Sequence, residues 1–328
     1  MMRRREFLSA SLAAAAAPED RIRIGVLGSS HPHAQAKIQI FKESPRWELA
    51  GVSKDDGPTR DALLGDPSIR VVAVESDVRR HAEHARLALE AGKHVHLEKP
   101  PSDNMREFRE LTALARRKNL LVQLGYMWRY HPAINAILEA ARKGWLGDIY
   151  LVRGTINTIT PAQQRAGIAL FPGGQMFDLG CHLIDPLVRL MGLPARVTPF
   201  LGAHGNFNDR FADNTAAVFE YPRAMGIVSS SALQANAFQH RAFEVFGSNG
   251  TALLRPIEPG TLLSIDLVKA AGPYVAGVQQ VKFAPFRRYV ADFDELGEAV
   301  RLSRPLAVTP EEDLKVHEAL LRASGMWS

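Results

Sequence analysis

The sequence predicts an α/β protein whose first half forms a doubly wound parallel sheet and whose second half is an α+β domain with a largely antiparallel, open sheet. Up to about residue 126, short apolar runs alternate with helical segments, as in consecutive βαβ units. Beyond that point, segments of alternating polarity indicate antiparallel strands that are covered on one face. The length of 328 residues suits two such domains, which we place at 18–126 and 127–328.

The first domain begins with a buried strand at 21–28, which ends in a glycine turn. Gly92 is predicted to close the third helix as a C-cap, and Asp103 to cap the start of the fourth. Right-handed crossovers between parallel strands give a sheet of Rossmann type. The remaining strands are predicted at 47–52, 71–74, 94–97 and 120–124, and the helices at 33–42, 59–64, 78–91 and 103–118.

The second domain begins with a helix at 132–142, which ends before two closely spaced glycines. Alternating polarity predicts the strands, and the 3.6-residue period predicts the helices that close the domain. The strands are expected at 149–156, 215–221, 226–233 and 243–246, and the later helices at 178–190, 283–302 and 311–323.

The first residues have the pattern of an export signal. Arg4 and Arg5 precede a short run of Ser, Leu and Ala at 9–17, and the arginine pair resembles a twin-arginine signal. The run is too short to span a membrane. We therefore expect a signal peptide at 1–17 and export to the periplasm. If the segment is not a functional signal, the protein stays in the cytoplasm.

Charge and cysteine content exclude several classes of function. The net charge of +5 arises partly from Arg3, Arg4 and Arg5, and no basic stripe with interleaved aromatic residues indicates a nucleic-acid partner. The single cysteine, Cys181, rules out an intrachain disulfide. Four histidines at 31, 33, 94 and 96 resemble a metal cluster, but we expect the two pairs at separate strand ends with no carboxylate to complete a set. No metal is therefore predicted.

The turn after the first strand is a candidate phosphate-binding turn. Gly28 takes the first place of a GxGxxG fingerprint, while Ser30 and His33 take the second and third. Backbone N–H groups at the start of the following helix can bind a pyrophosphate. The predicted turn residues of a dinucleotide site are Gly28, Ser29, Ser30, His31 and His33. A strand-turn-helix without a ligand is the alternative.

The end of the second strand bears on the choice between NAD and NADP. Ser53 and Lys54 stand where NAD-binding folds commonly carry an acidic residue for the ribose hydroxyls. A hydroxyl and an ammonium accept a 2′-phosphate, which favours NADP slightly. Asp55 or Asp56 reaching the ribose is the alternative, and it favours NAD.

Two segments resemble the signatures of the Gfo/Idh/MocA oxidoreductases. Residues 92–100 read GKHVHLEKP and are similar to the family's aGkHVlxEKP, and residues 173–185 read GGQMFDLGCHLID and are similar to its GGxxxDxGxHxxD. The resemblance covers nearly the whole chain after residue 17. It implies a nicotinamide enzyme with tightly bound NAD or NADP, a sugar or polyol substrate, and pairing of subunits through the open sheet. Glu75 to Asp77 depart from the family's usual TP pair and add charge near the expected cofactor path.

The resemblance, together with the chemistry of alcohol oxidation, assigns roles to the motif residues. Glu98 and Lys99 are expected to contact the cofactor. Lys99 faces the nicotinamide and stabilises a developing alkoxide, and His182 accepts the proton. Asp178 lies four residues before His182, so a helix there puts both on one face, with Asp178 orienting the imidazole or a sugar hydroxyl. Asp185 is expected to support His182 or contact substrate.

Tyr126 and Arg129 are further candidates, with substrate contact and packing as equal alternatives. Three functions remain open at this point. The first is net hydride transfer with a sugar, polyol or cyclitol. The second is a glycoside hydrolase or lyase with tightly bound NAD and no net redox change, which export favours. The third is a sugar-binding protein without catalysis.

Overall fold

The computed structural model describes residues 21–327, so the signal peptide predicted at 1–17 lies outside the described residues. Within the described range, no helix has both the length and the apolar character needed to cross a bilayer.

The first half contains the predicted parallel sheet of Rossmann type. The strand order is β2-β1-β3-β4-β5, and every neighbouring pair is parallel. The order reverses between β1 and β3, which is where ligands bind in open α/β sheets, beyond the carboxyl ends of the strands. The elements are β1 (Ile22–Leu27), α1 (Ala34–Glu43), β2 (Trp47–Ser53), α2 (Pro58–Gly65), β3 (Val71–Val74), α3 (His81–Glu90), β4 (His94–Leu97), α4 (Met105–Arg117) and β5 (Val122–Leu124).

Two helix starts in this half differ from the predictions. The helix predicted from residue 78 begins as a 3₁₀ turn at Val78–Arg80 and becomes α-helical only in α3. The N-cap of α4 is Asn104 instead of Asp103, because the Asn104 side chain accepts hydrogen bonds from the amides of Arg106 and Glu107.

The second half contains an open sheet of eight strands in the order β13-β12-β11-β10-β6-β9-β8-β7, packed against helices on one face. Only β6 and β9 pair in parallel; the other pairs are antiparallel, as predicted. The strands are β6 (Ile149–Thr155), β7 (Arg196–Gly202), β8 (Asn214–Tyr221), β9 (Ala224–Ser231), β10 (Ala242–Gly247), β11 (Gly250–Leu254), β12 (Leu263–Leu267) and β13 (Gly277–Val281). The helices are α5 (Pro132–Arg142), α6 (Ala162–Ile168), α7 (Cys181–Met191), α8 (Val290–Leu302) and α9 (Pro310–Ala323).

Two predicted helices in this half are wrong at their starts. The segment predicted at 178–190 begins with a π-helical turn, Met176–Gly180, and continues as α7. The helix predicted from residue 283 begins only at Val290, because Pro285 lacks an amide donor and Tyr289 adopts a left-handed φ of 68°. The π turn is the more consequential, because such turns concentrate at functional sites.

Helix α8 joins the two halves. Its Phe293 is 1% exposed and packs against Phe41, Trp47 and His96, with ring centroids 4.5, 6.1 and 4.5 Å away. The preceding residue, Asp292, is fully buried, and neither carboxylate oxygen has a hydrogen-bond partner among the described residues. Burial raises the pKa of Asp292 to about 7. The folded state therefore favours the neutral, protonated form of the Asp292 carboxyl group at this junction.

We predict that Asp292 makes folding stability fall as pH rises. Between pH 4 and 7, roughly, the folded state binds a proton that the unfolded state has lost, so raising the pH favours unfolding. A pKa difference of this size corresponds to about 4 kcal/mol at most. Urea unfolding of Asp292→Asn should lack this part of the pH dependence. Asp294→Asn, which changes a half-exposed carboxylate of the same helix 3.6 Å from Arg46, serves as control. Identical pH profiles for Asp292→Asn and the unmodified protein would contradict the prediction.

Candidate active site

A cleft of about 640 Å³ opens between the carboxyl edge of the parallel sheet and the second half of the chain. One wall comes from the β1–α1 turn, the segment after β3 and the residues after β4. The opposite wall comes from the π turn, α6 and the residues before β10. The cleft brings together these predicted residues: Ser30, His31, His33, Lys99, Asp178 and His182.

Lys99 is a buried cation at the floor of this cleft. The residue is 3% exposed, and its Nζ donates a hydrogen bond of 2.7 Å to the backbone oxygen of Asp178. The carboxylate of Asp178 lies 3.7 Å from the same nitrogen. Burial alone would lower the pKa of Lys99, but the neighbouring carboxylates, above all Asp178, outweigh it and raise the pKa above its ordinary value. Lys99 is therefore charged at neutral pH.

His182 is a buried neutral base beside that cation. It is 1% exposed, and neither ring nitrogen has a hydrogen-bond partner among the described residues. The rings of His33, Tyr126 and Trp128 surround it at centroid distances of 6.4, 6.2 and 5.9 Å. Burial, and then the charge of Lys99, hold its pKa well below the usual range. A neutral imidazole with unused nitrogens can accept a proton from a ligand.

The predicted support for His182 is not present. Asp178 contacts Lys99 and makes no hydrogen bond to His182, because the π turn replaces the regular α-helical spacing. Asp185 does not support His182 either. Its carboxylate accepts hydrogen bonds of 2.9 and 2.7 Å from Arg129, which also donates to Asp313.

The other predicted substrate residues lie behind the cleft wall. Arg129 is 4% exposed in the buried ion pairs with Asp185 and Asp313, and its guanidinium lies 4.7 Å from the ring centre of Tyr126. Tyr126, Arg129 and Asp185 do not line the cavity. Tyr126, Arg129 and Asp185 therefore pack together behind the cleft, on the side where His182 lies.

The β1–α1 turn fits a dinucleotide. Gly28 has a φ of 75°, and a Cβ placed there would overlap the carboxylate of Asp55 and the backbone of Ser76. The amides of Ser29 and Ser30 donate to no described residue, so both are available to a phosphate. The hydroxyl of Ser53, at the end of β2, is buried and has no hydrogen-bond partner within residues 21–327. A glycine cradle with free donors is the arrangement that a pyrophosphate and ribose need.

The side chains after β2 bear on the two cofactor alternatives that the sequence leaves open. Lys54 is exposed, whereas the Asp55 carboxylate lies against Gly28. Asp56 is already paired with Arg60 and Arg80. Of the charged side chains after β2, Asp55 is thus the one that lies against the glycine turn.

A buried charge cluster holds Glu98, the residue before Lys99. Lys37, fully buried on α1, donates to Glu98, to Glu75 at 2.7 Å, and lies 2.9 Å from His96 Nε2. Glu98 in turn accepts a 2.9 Å hydrogen bond from the backbone amide of Lys99. Sequence reasoning missed Lys37, although a single lysine on the apolar face formed by Ala34, Ile38 and Phe41 was a usable signal.

The same cluster corrects the expectation that no carboxylate completes a histidine set. Glu98 lies between His31 and His33, at 3.7 and 3.1 Å, because the β1–α1 turn and the end of β4 share one sheet edge. A second group of possible ligands, Glu75, His96 and Glu98, surrounds the Lys37 ammonium. That ammonium already takes the central position that a metal would need.

The cleft also contains polar residues that sequence reasoning did not single out. They come from β6–α6, from the segment before β10 and from the segment before α8, none of which carries a motif. They are Thr158, Thr160, Gln163, Gln164, Arg241 and Arg288.

Comparison with known proteins agrees with this geometry. A family model described as an oxidoreductase family with an NAD-binding Rossmann fold matches residues 14–126, and a GFO/IDH/MocA C-terminal domain model matches residues 134–253. The uncharacterized oxidoreductase YdgJ of Escherichia coli (strain K12) is 27% identical over 73% of each chain.

Two further proteins resemble parts or all of the chain. D-glucoside 3-dehydrogenase of Escherichia coli (strain K12) is 32% identical over 52% of this chain and 47% of its own. The structure of UDP-N-acetylglucosamine 3-dehydrogenase GnnA from Acidithiobacillus ferrooxidans has a TM-score of 0.77 at 20% identity, covering 94% of this chain and 98% of that one, which establishes a shared fold. Together, the paired family matches and the intact motifs show that the chain belongs to the Gfo/Idh/MocA family of NAD(P)-dependent oxidoreductases.

Proposed function

We propose that the protein transfers hydride between a nicotinamide cofactor and a secondary hydroxyl of a sugar, polyol or cyclitol. The observation that carries the proposal is the pairing of a buried Lys99 cation with an unpartnered, neutral His182 in one cleft. The similarity to an enzyme named D-glucoside 3-dehydrogenase supports a sugar-like substrate.

The residues divide the proton chemistry between them. Bound nicotinamide supplies the hydride acceptor or donor. Lys99 stabilises negative charge on the reacting oxygen, because its ammonium is desolvated and held by Asp178. His182 takes the hydroxyl proton, since its pKa is too low for it to carry one beforehand. In the reverse direction the same groups return the proton to a carbonyl oxygen.

The turn residues Gly28, Ser29 and Ser30 would hold the pyrophosphate, and Ser53 and Asp55 the ribose. A carboxylate at this position hydrogen-bonds ribose hydroxyls and repels a 2′-phosphate. We therefore propose NAD as the preferred cofactor, in place of the slight preference for NADP that Ser53 and Lys54 suggested.

Export and pairing of subunits complete the proposal. The arginine pair at Arg4 and Arg5 supports export of the folded, cofactor-loaded protein.

The helix-free face of the second sheet carries exposed apolar side chains, including Phe200, Met225 and Leu253, which are 58%, 41% and 39% exposed. We propose that a second copy of the chain covers this face. The redox-neutral hydrolase and the inactive binding protein gain no support from the relatives described above, which are named as oxidoreductases or dehydrogenases.

We predict that Lys99→Ala and His182→Ala each lower turnover by about 100-fold or more, as expected for lost electrostatic and acid–base catalysis. Steady-state oxidation of a sugar substrate with NAD measures the effect, with circular dichroism to verify folding. Lys269→Ala and His204→Ala change exposed residues of the same types and serve as controls. Near-native turnover in either cleft variant would remove the role assigned to that residue.

We predict that Asp55→Asn increases the affinity for NADPH relative to NADH by about tenfold, because it removes the charge that repels a 2′-phosphate. Fluorescence titration of both nucleotides measures the ratio, and Asp61→Asn on α2 provides an exposed control. If Asp55→Asn leaves the ratio unchanged while Lys54→Glu weakens NADPH selectively, the cofactor preference is the opposite one.

A further inference from the structure

Arg241 is a buried cation without a counter-ion on the wall of the cleft. It is 4% exposed, and no carboxylate of the described chain lies within ion-pair distance of it. Its Nε donates a 3.1 Å hydrogen bond to the backbone oxygen of Asn157, and its guanidinium stacks 4.0 Å from the ring centre of Phe238. These contacts fix the plane of the group, while its terminal nitrogens donate to no described residue.

The other cations of the cleft are already neutralised. Lys99 is paired with Asp178. Arg288 is paired with Glu258, which also accepts a 2.7 Å hydrogen bond from Trp128 Nε1. At the rim, the carboxylate of Asp77 is paired with Arg79. Among the described residues, Arg241 is therefore the cation of the cleft that has no carboxylate within ion-pair distance.

Arg241 keeps that charge under ordinary conditions. Burial, and then the neighbouring Arg288, lower the pKa of Arg241 to about 10, which still leaves it protonated at neutral pH. A desolvated charge without a partner is unfavourable, so a ligand that supplies an anion recovers this cost on binding. The planar guanidinium with free terminal N–H groups suits a carboxylate, which it can bind through two hydrogen bonds.

The charge count favours a monoanion. A single unpaired guanidinium balances one carboxylate, whereas a phosphate or diphosphate would bring excess negative charge. Around Arg241 the same wall presents Thr158, Thr160 and Gln163, whose side chains can hydrogen-bond hydroxyl groups. The site thus combines one anion position with several hydroxyl positions.

We propose that the substrate is a sugar acid, whose carboxylate binds Arg241 while a ring hydroxyl faces Lys99 and His182. The inference rests on the proposed function and adds the substrate class. Arg241 belongs to the second half of the chain, opposite the β1–α1 turn, so its partner is the substrate and not the phosphates of the nucleotide.

The test compares acids with their neutral counterparts. D-glucuronate and D-galacturonate are assayed against D-glucose and D-galactose, by binding to the NADH-loaded protein and by kcat/KM with NAD. In the unmodified protein we expect both acids to be preferred, and in Arg241→Gln the acid-to-neutral ratio should fall by about 100-fold, as for a lost buried charge pair. Arg255→Gln, which removes an exposed arginine outside the cleft, should leave the ratio unchanged.

The titration of NADH in the same samples separates the two proposals. If NADH binds but the acids bind no better than the neutral sugars, or if Arg241→Gln leaves the ratio intact, the sugar-acid assignment is overturned while the proposed function stands. If no nucleotide binds to the folded protein, the proposed function itself fails.

Discussion

The ion cluster around Lys37 is the constraint on which the rest of the site depends. Strands β1, β3 and β4 end side by side at the carboxyl edge of the parallel sheet, and the fully buried ammonium of Lys37 ties the ends of β3 and β4 together through Glu75 and Glu98. Removing one partner of such a cluster would leave an uncompensated charge in the core. Because Glu98 also accepts a hydrogen bond from the backbone amide of Lys99, the cluster fixes the position of the backbone that carries the Lys99 ammonium.

Burial has opposite consequences for the two central groups of the cleft. Lys99 remains charged because Asp178 compensates for its burial, whereas His182 stays neutral because the charge of Lys99 adds to the effect of its burial. A cation beside a neutral base is the combination that removes the proton of a hydroxyl group and stabilises the alkoxide that forms. The charge of Arg241, on the opposite wall, is then left for recognition instead of catalysis.

The sequence predicted elements best where a local rule decides the structure. The strands Val71–Val74 and His94–Leu97 and the helix Pro132–Arg142 match their predictions in full, because apolar runs and a proline at the first helical position mark their ends. The motif residues Lys99, Asp178 and His182 do meet in one cleft. The π turn at Met176–Gly180 was not predictable, because it depends on packing between distant segments.

The residues that sequence reasoning missed share a physical cause. Lys37 and Glu98 are 61 residues apart in the sequence. Arg241 matters because no carboxylate of the described residues lies close to its buried guanidinium, which only the three-dimensional structure shows. No spacing rule reports such pairings. In the same way, the carboxylate of Asp55 reaches Gly28 at the sheet edge, a contact that supports the proposed preference for NAD.

The most direct test of the account is the protonation state of His182. Nitrogen-15 NMR of histidine-labelled protein, with the signal assigned by its loss in His182→Gln, reports the charge of the ring from pH 5 to 8. We expect a neutral imidazole throughout this range, because burial and the Lys99 charge hold the pKa of His182 well below the usual value. An imidazolium at pH 7 would contradict it, since a protonated His182 cannot accept the proton of the substrate hydroxyl.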